Sequence, residues 1–214
     1  MRSYPNYAFA SVLSHSPMHS LRFAVLITGF FALVLASEAS AAERNVIFII
    51  TDDESPTLGS YGDPVAVTPA IDAVARDGLI FRNAFATTAS CSASRSVVMS
   101  GLHNHRNGQF GHQHHYHKFA SFHDVVSLAL PRVMARAGYR TGQIGKYHVA
   151  PETVYHYETY LKGNGRNAVA MAEASRSFIT DTSDDRPFFL YYASPLPHTR
   201  WIPHPRFAGS SKQG

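Results

Sequence analysis

Cys91 is the only cysteine in the 214 residues, and it opens the run Cys91-Ser92-Ala93-Ser94-Arg95, just ahead of the apolar triplet Val97-Val98-Met99. A single thiol cannot close an internal disulfide. In an exported chain it is a crosslinker to another molecule, an inert core residue or a reactive group. Most lone cysteines are buried and inert. Arg95 follows at the i+4 position, so on a helix its guanidinium faces the same side as the thiol. Asp52-Asp53 stand directly after an apolar run. Two adjacent carboxylates are uncomfortable there unless a cation or hydrogen-bond donors compensate them, although an exposed acidic turn is the plainer alternative. Gly145-Lys146-Tyr147-His148 brings a basic pair, and Pro197-His198 a further imidazole. The stretch Gly108 to His117 holds His112, His114, His115 and His117. It has neither regular helical spacing nor acidic or thiol partners, so anionic-substrate contact or a solvated loop is favoured over a metal site.

The elements that must position these groups alternate between strand and helix patterns. Asn45 to Thr51 is a continuous apolar, β-branched run that predicts a strand buried on both faces. Residues 68–78 predict a helix capped by Thr68, with Pro69 at its first position and Gly78 as a left-handed stop. Its apolar face is Ile71, Val74 and Ala75. Leu79 to Phe85 reads as a second strand, which sets Cys91 at a strand-to-helix turn with 94–100 as the first helical turns. The unpaired N–H groups of such a terminus favour an anion or a polarised oxygen. A helix stopped by Gly138, with Ser127 as candidate cap and Pro131 in its first turn, precedes a strand at 139–144 that delivers Lys146 and His148. Residues 168–179 predict a helix with an apolar set of Val169, Ala172, Phe178 and Ile179. After a turn at 184–186, the run 187–193 predicts another buried strand, leading to His198. The fold class is therefore α/β, a mostly parallel sheet flanked by helices, whose ligands collect beyond the strands' C-terminal ends.

Composition narrows the function classes. Hydrophobic residues make up 45% of the chain, enough for one well-buried domain. The net charge of +4 comes without a Lys/Arg block or a basic stripe interleaved with aromatics, which excludes a nucleic-acid partner as the leading reading. Residues 1–41 read as a signal peptide, with Arg22 before the apolar run Phe23 to Ala36 and a small-x-small site at Ala39-Ser40-Ala41. Met18 offers an alternative start. The apolar run is shorter than the roughly 18 to 20 residues of a bilayer span, so no permanent membrane span is expected. The expected location is exported, periplasmic or secreted. Residues 42–201 form the domain portion of the chain, and 202–214 a tail without a readable role.

Asp52-Asp53 after a strand, Cys-x-Ala-Ser-Arg, Gly145-Lys146-Tyr147-His148 and Pro197-His198 occur in one order that resembles the type I sulfatases of the alkaline-phosphatase-like superfamily. Ala93 stands where that family more often has Pro. The resemblance runs from about Arg44 to about His198, and it implies that residues 42–201 are the N-terminal part of a sulfatase catalytic domain. Gly101-Leu102, the stretch His148 to Tyr155, and Asp184 to Tyr191 resemble the heparan N-sulfatase (sulfamidase) branch.

The resemblance implies a function and a set of roles. Cys91 is oxidised to formylglycine by a maturation enzyme, and its hydrate attacks sulfur and then expels sulfate. Asp52 and Asp53 hold Ca²⁺, with the modified Cys91 as a further ligand. Arg95 offsets the charge of the hydrate, Lys146 stabilises the sulfuryl oxygens and His148 acts as base. His198 contacts sulfate or assists the leaving group. The implied substrates are sulfated small molecules or saccharides, as sulfate esters or sulfamates. Two alternatives stand beside this reading: a phosphoryl or phosphonate hydrolase of the same superfamily, and a non-catalytic fragment keeping half of the fold. The fragment reading draws on the family's remaining calcium ligands, an Asp-Asn pair after a later strand, which have no counterpart in the sequence. The chain is accordingly expected to be an incomplete form, poorly soluble and inactive by itself.

Overall fold

The structure, a computed structural model, describes residues 44–114 and 116–199. The predicted signal peptide, all of the tail, His115 and Arg200 to Trp201 lie outside the described residues. Four strands form one parallel sheet: β1 (Val46–Asp52), β2 (Arg140–Gly145), β3 (Thr159–Leu161) and β4 (Phe188–Pro197), in the spatial order β1-β4-β2-β3. The helices are α1 (Pro69–Asp77), α2 (Cys91–Ser100), the single turn α3 (Asn104–Asn107), α4 (Leu130–Arg136) and α5 (Ala168–Ile179).

Like β2, β4 is buried on both faces. Its alternate residues Phe189, Tyr191 and Ala193 enter one core with Met99 of α2, Val125, Ala129, Tyr155 and Tyr157. Phe188 and Leu190 face the other, with Ile144 and with Met171 and Phe178 of α5. This is the period-two division a sheet imposes when both its faces are covered. β1 departs from the expectation of two buried faces. It is an edge strand with alternating burial, and Ile49 is 64% exposed on its open side. Among the described residues, one of its flanks lacks a neighbouring strand, and none of them fully covers the side bearing Ile47 and Ile49.

Other parts of the fold differ from the sequence-based expectation. Residues 79–85 form no strand; Leu79, Phe81 and Phe85 are exposed and their backbone finds no strand partner among the described residues. Gly78 is extended (φ −124°, ψ −151°) rather than left-handed, whereas Gly101 and Gly138 do take positive φ at the ends of α2 and after α4. In α5 the buried side is Met171, Ser175 and Phe178, while Val169 and Ala172 are exposed, because the face laid on the sheet is the one that meets β2. There the ring of Phe178 covers Gly142 so closely that a Cβ would come within 2.7 Å of it. Side-chain caps are likewise redistributed. Ser127 ends a short 3₁₀ turn instead of capping α4, which starts after Ala129 with Pro131 in its first turn. The Thr68 hydroxyl accepts from Gly59 N and donates to Asp72, tying α1 to the turn Gly59–Tyr61.

Candidate active site

The C-terminal ends of β1, β4 and β2 lie side by side, so Asp52, His198 and Lys146 emerge on one edge of the sheet, as open α/β sheets require of a binding crevice. The pairing of β1 with β4 slips between Ile50 and Asp52, which matches Asp52 to Pro197. At the end of β2, Gly145 has φ 86°, and a Cβ there would strike the carbonyl of Ala193. Glycine is thus required for the chain to turn and present Lys146.

Asp52 is 4% exposed and compensated from two sides. Arg95 Nη2 donates to its Oδ1 at 3.1 Å, and Lys146 Nζ donates to its Oδ2. Burial by itself would raise the carboxyl's pKa. The hydrogen bonds from Lys146 and Arg95 outweigh burial and hold it below the usual 3.8. Arg95, 2% exposed, spends its other terminal nitrogen on the Tyr191 hydroxyl at 2.8 Å and the Lys146 carbonyl at 3.2 Å. The planar fork therefore joins β1, β2 and β4 at one point.

Cys91 is the first residue of α2 and is partly buried. α2 is seated by a buried amide network: Asn104 Nδ2 donates to the Ala93 carbonyl at 2.9 Å, and Asn107 Nδ2 to Ser96 and Ser100 hydroxyls at 3.1 and 3.2 Å. A cleft of about 380 Å³ opens before the helix, lined among others by Asp52, Asp53, Glu54, Ser90, Cys91 and Arg95. Asp53 takes φ 59°, a left-handed conformation that Asp adopts more readily than most residues. Its side chain, 58% exposed, reaches His198 Nε2 at 3.5 Å. His148 also has positive φ, 50°, and its ring lies nearly parallel to those of His112 and His114. Burial lowers its pKa to about 4, helped by the charge of Lys146 and the two neighbouring histidines. The imidazole is therefore neutral near neutral pH and able to accept a proton. Ligand atoms of Asp52, Cys91 and His198 lie within 4.8 Å of one another, and so do those of Cys91, His112 and His148. A larger cleft at the opposite, N-terminal edge of the sheet is lined by Asn45, Arg140, Asp181 and Arg186 and holds none of the groups predicted from sequence.

The family model described as Sulfatase matches residues 44–214. The chain belongs to the sulfatase family. It is 42% identical over 173 residues to human N-sulphoglucosamine sulphohydrolase, covering 78% of this chain and 34% of that protein. It is 28% identical to the N-acetylglucosamine-6-O-sulfatase of Bacteroides thetaiotaomicron, over 97% of this chain and 41% of the other. The chain thus spans between a third and about two fifths of the length of these two relatives. Among solved structures, a protein in complex with its substrate D-glucosamine-2-N,6-O-disulfate aligns with TM-score 0.63 at 23% identity, covering 77% of this chain and 37% of that one. A 2-O glycosaminoglycan sulfatase aligns with TM-score 0.62 at 20% identity, covering 73% and 36%. These two likenesses show the shared fold.

In this sulfatase-family chain the seven residues singled out from sequence, Asp52, Asp53, Cys91, Arg95, Lys146, His148 and His198, all lie at one sheet edge. They divide into an ion-paired set (buried Asp52 and Arg95 with the partly exposed Lys146) and a more open set around Cys91. Cys91 stands at the start of the helix itself, three residues ahead of the predicted first turn. The histidine-rich loop, read as lacking a thiol partner, has one: His112 lies beside Cys91 across the loop. Three contributors are not singled out by the sequence. Tyr191 is legible there only as one apolar strand residue among several. Asn104 and Asn107 are polar residues three apart, a spacing that marks one helix face but not what that face meets.

The donor set fits a hard cation. Each oxygen of an ionised carboxylate can accept more than one bond, so Asp52 keeps capacity beyond Arg95 and Lys146, and Asp53 is open to the same cleft. An oxygen at position 91 would complete a hard-donor side. Among the described residues no helix is long and apolar enough to cross a membrane.

Proposed function

We propose that the chain carries the nucleophile-bearing part of an active site that hydrolyses sulfate esters or sulfamates of sulfated saccharides, with Cys91 converted to formylglycine by a maturation enzyme and Ca²⁺ held by Asp52 and Asp53. The observation that supports this most strongly is the position of Cys91. It is a partly exposed single thiol at a helix start, with Arg95 one turn away and locked against Asp52. When bound, Ca²⁺ supplies Lewis-acid polarisation and charge compensation at the oxygen carried by residue 91. A formylglycine there supplies a carbonyl carbon that water can hydrate.

The chain's own residues supply the rest. Arg95 holds a fixed positive charge beside residue 91, since its fork is committed to Asp52 and Tyr191 and cannot swing away. Lys146 is anchored by Asp52 and lies partly exposed, so its ammonium can meet an anionic sulfuryl group. His148 is neutral and takes up a proton at its imidazole. His198, steadied by Asp53, stands where a sulfate or the leaving atom can be contacted. Identity to human N-sulphoglucosamine sulphohydrolase supports an N-sulfated glucosamine residue as the substrate class. The apolar run and small-x-small site at residues 22–41 support export to the periplasm or medium.

The test is co-expression of the chain with a formylglycine-generating enzyme, followed by mass spectrometry of the Cys91 peptide. An aldehyde that couples to a hydrazide is expected, together with Ca²⁺-dependent binding of N-sulfoglucosamine by the converted chain. A thiol left unmodified under conditions that convert a control sulfatase overturns the reading.

A further inference from the structure

Cys91 lies between two donor sets of opposite chemical character. On one side are the Asp52 carboxylate and, beyond it, Asp53; on the other are the imidazoles of His112 and His148, whose ligand atoms and Cys91 Sγ lie mutually within 4.8 Å. We propose that the unconverted chain, in which Cys91 is still a thiol, holds a thiophilic cation of the Zn²⁺ class between Cys91, His112 and His148. One sulfur and two imidazole nitrogens form the three-ligand set of an open tetrahedral site. Such a set selects borderline cations and is a poor match for Ca²⁺, which seeks oxygen.

Several features besides proximity point to a ligand. The rings of His112 and His148 are 5.3 Å apart between centroids and inclined by only 17°. Two imidazoles on one tetrahedral Zn²⁺, at bond lengths of about 2.0–2.1 Å, place their centroids roughly 5 Å apart. His148 Nδ1 is buried without a hydrogen-bond partner, while its Nε2 meets His114 Nδ1 at 3.0 Å. A ligating histidine characteristically has one nitrogen on the metal and the other hydrogen-bonded to a neighbour. The two nitrogens of His112 are met by the Ser90 and Ser92 hydroxyls at 3.2 and 3.4 Å, so either can be steadied while the other binds. Cys91 is partly exposed, which leaves an approach for the ion. On binding, the thiol proton passes to solvent and a sulfur–metal bond replaces it; no oxidant is involved.

Conversion of Cys91 removes the sulfur and with it the affinity for such a cation, so residue 91 decides which class of ion the edge accepts. Occupancy by Zn²⁺ also ties up the thiol that maturation must oxidise. This inference needs only the thiol form and stands apart from sulfatase activity.

The experiment uses the full chain produced without a maturation enzyme and titrated with Co²⁺, then with Zn²⁺ as competitor. One equivalent of Co²⁺ is expected to give a thiolate-to-cobalt charge-transfer absorption and tetrahedral visible bands, both bleached by Zn²⁺. Cys91→Ser should abolish the charge-transfer band. His112→Ala and His148→Ala should each weaken Co²⁺ affinity at least tenfold, with far-ultraviolet circular dichroism confirming that the fold is kept. Binding without a charge-transfer band, or with affinity unchanged in Cys91→Ser, assigns the ion to histidines elsewhere and overturns the proposal. A charge-transfer band that survives loss of both His112 and His148 overturns it too. If either histidine variant misfolds, protection of the Cys91 thiol from iodoacetamide by Zn²⁺ in the unaltered chain decides instead: protection supports the site, and full reactivity sinks it.

Discussion

Arg95→Lys is the substitution that most directly tests how the site is built, because it preserves charge while removing the fork. In the native chain one guanidinium serves three acceptors: Asp52 Oδ1, the Tyr191 hydroxyl and the Lys146 carbonyl. A lysine ammonium on a shorter reach can hold Asp52 or Tyr191 but not all three. Retaining Asp52 leaves the buried Tyr191 hydroxyl and the part-buried Lys146 carbonyl without this donor. Each orphaned buried polar group costs about 1–3 kcal/mol. The carbonyl bond, at 3.2 Å and only partly buried, belongs at the low end, so the expected destabilisation is about 2–4 kcal/mol. Arg95→Met should cost more, about 3–5 kcal/mol, since it leaves a buried carboxylate with Lys146 as its only cation. The assay is urea unfolding at neutral pH followed by far-ultraviolet circular dichroism, comparing midpoints at unchanged m. The Asp52 pKa is lowered in the folded state, so its pairing contributes stability above the unfolded value of 3.8 and loses it as pH falls through the folded value. The penalty of Arg95→Met should therefore shrink in acid. An Arg95→Lys chain within about 0.5 kcal/mol of the parent would refute the three-way fork and reduce Arg95 to an ordinary surface-type cation.

Asp52→Ala and Asp53→Ala, equivalent as a sequence pair, should separate: Asp52→Ala loses about 3–5 kcal/mol of stability by stranding Arg95 and Lys146, while Asp53→Ala stays within about 0.5 kcal/mol yet weakens Ca²⁺ binding, measured by calorimetry. Equal stability losses would show that Asp53 is not the exposed member. His148, with a folded pKa of about 4 against 6.5 unfolded, makes the unfolded state the better proton binder between those values, so stability should fall as pH drops from 6.5 to 4. The full shift corresponds to about 3 kcal/mol and partial solvent contact reduces it to about 1–2 kcal/mol; a His148→Gln chain should lose that part of the slope in pH-dependent urea midpoints, and an unchanged slope would count against a buried neutral imidazole. The 214-residue chain with Cys91 converted is expected to show no Ca²⁺-dependent turnover of aryl sulfate, because among the described residues Asp52, Asp53 and residue 91 supply fewer oxygens than the about six to eight that Ca²⁺ takes. Turnover that requires Ca²⁺ and disappears with Cys91→Ala would show that these ligands and water suffice.

Local pattern carries much of this protein. A parallel strand is stabilised by apolar side chains and bounded by turn residues, so β1 and β4 announce themselves in the residues that compose them, as do the helices around 69–77 and 168–179, whereas β2 has Ile144 as its one large apolar residue and is marked chiefly by the helix stop at Gly138 before it. Because parallel strands present their C-terminal ends to one edge, the residues that follow those strands group together on chain order alone. What local pattern lacks is the identity of neighbours. Among the described residues, Leu79 to Phe85 is as apolar as a strand but has no strand beside it, and Ile47 and Ile49 lie open because β1 falls at the edge while β4, the last of the described strands, takes the interior. The three-residue β3 is too short to carry a period of its own. Helical spacing aims Arg95 toward Cys91, yet only the insertion of β4 between β1 and β2 brings Tyr191 under its fork. Likewise His112 and Cys91 are separated by a helix and a loop in sequence, and it is the folding of that loop back over the start of α2 that makes a thiol and two imidazoles neighbours. Periodicity is dictated by bonds along the chain, whereas the meeting of distant side chains depends on which surfaces exclude water together, and that is settled only in the packed whole.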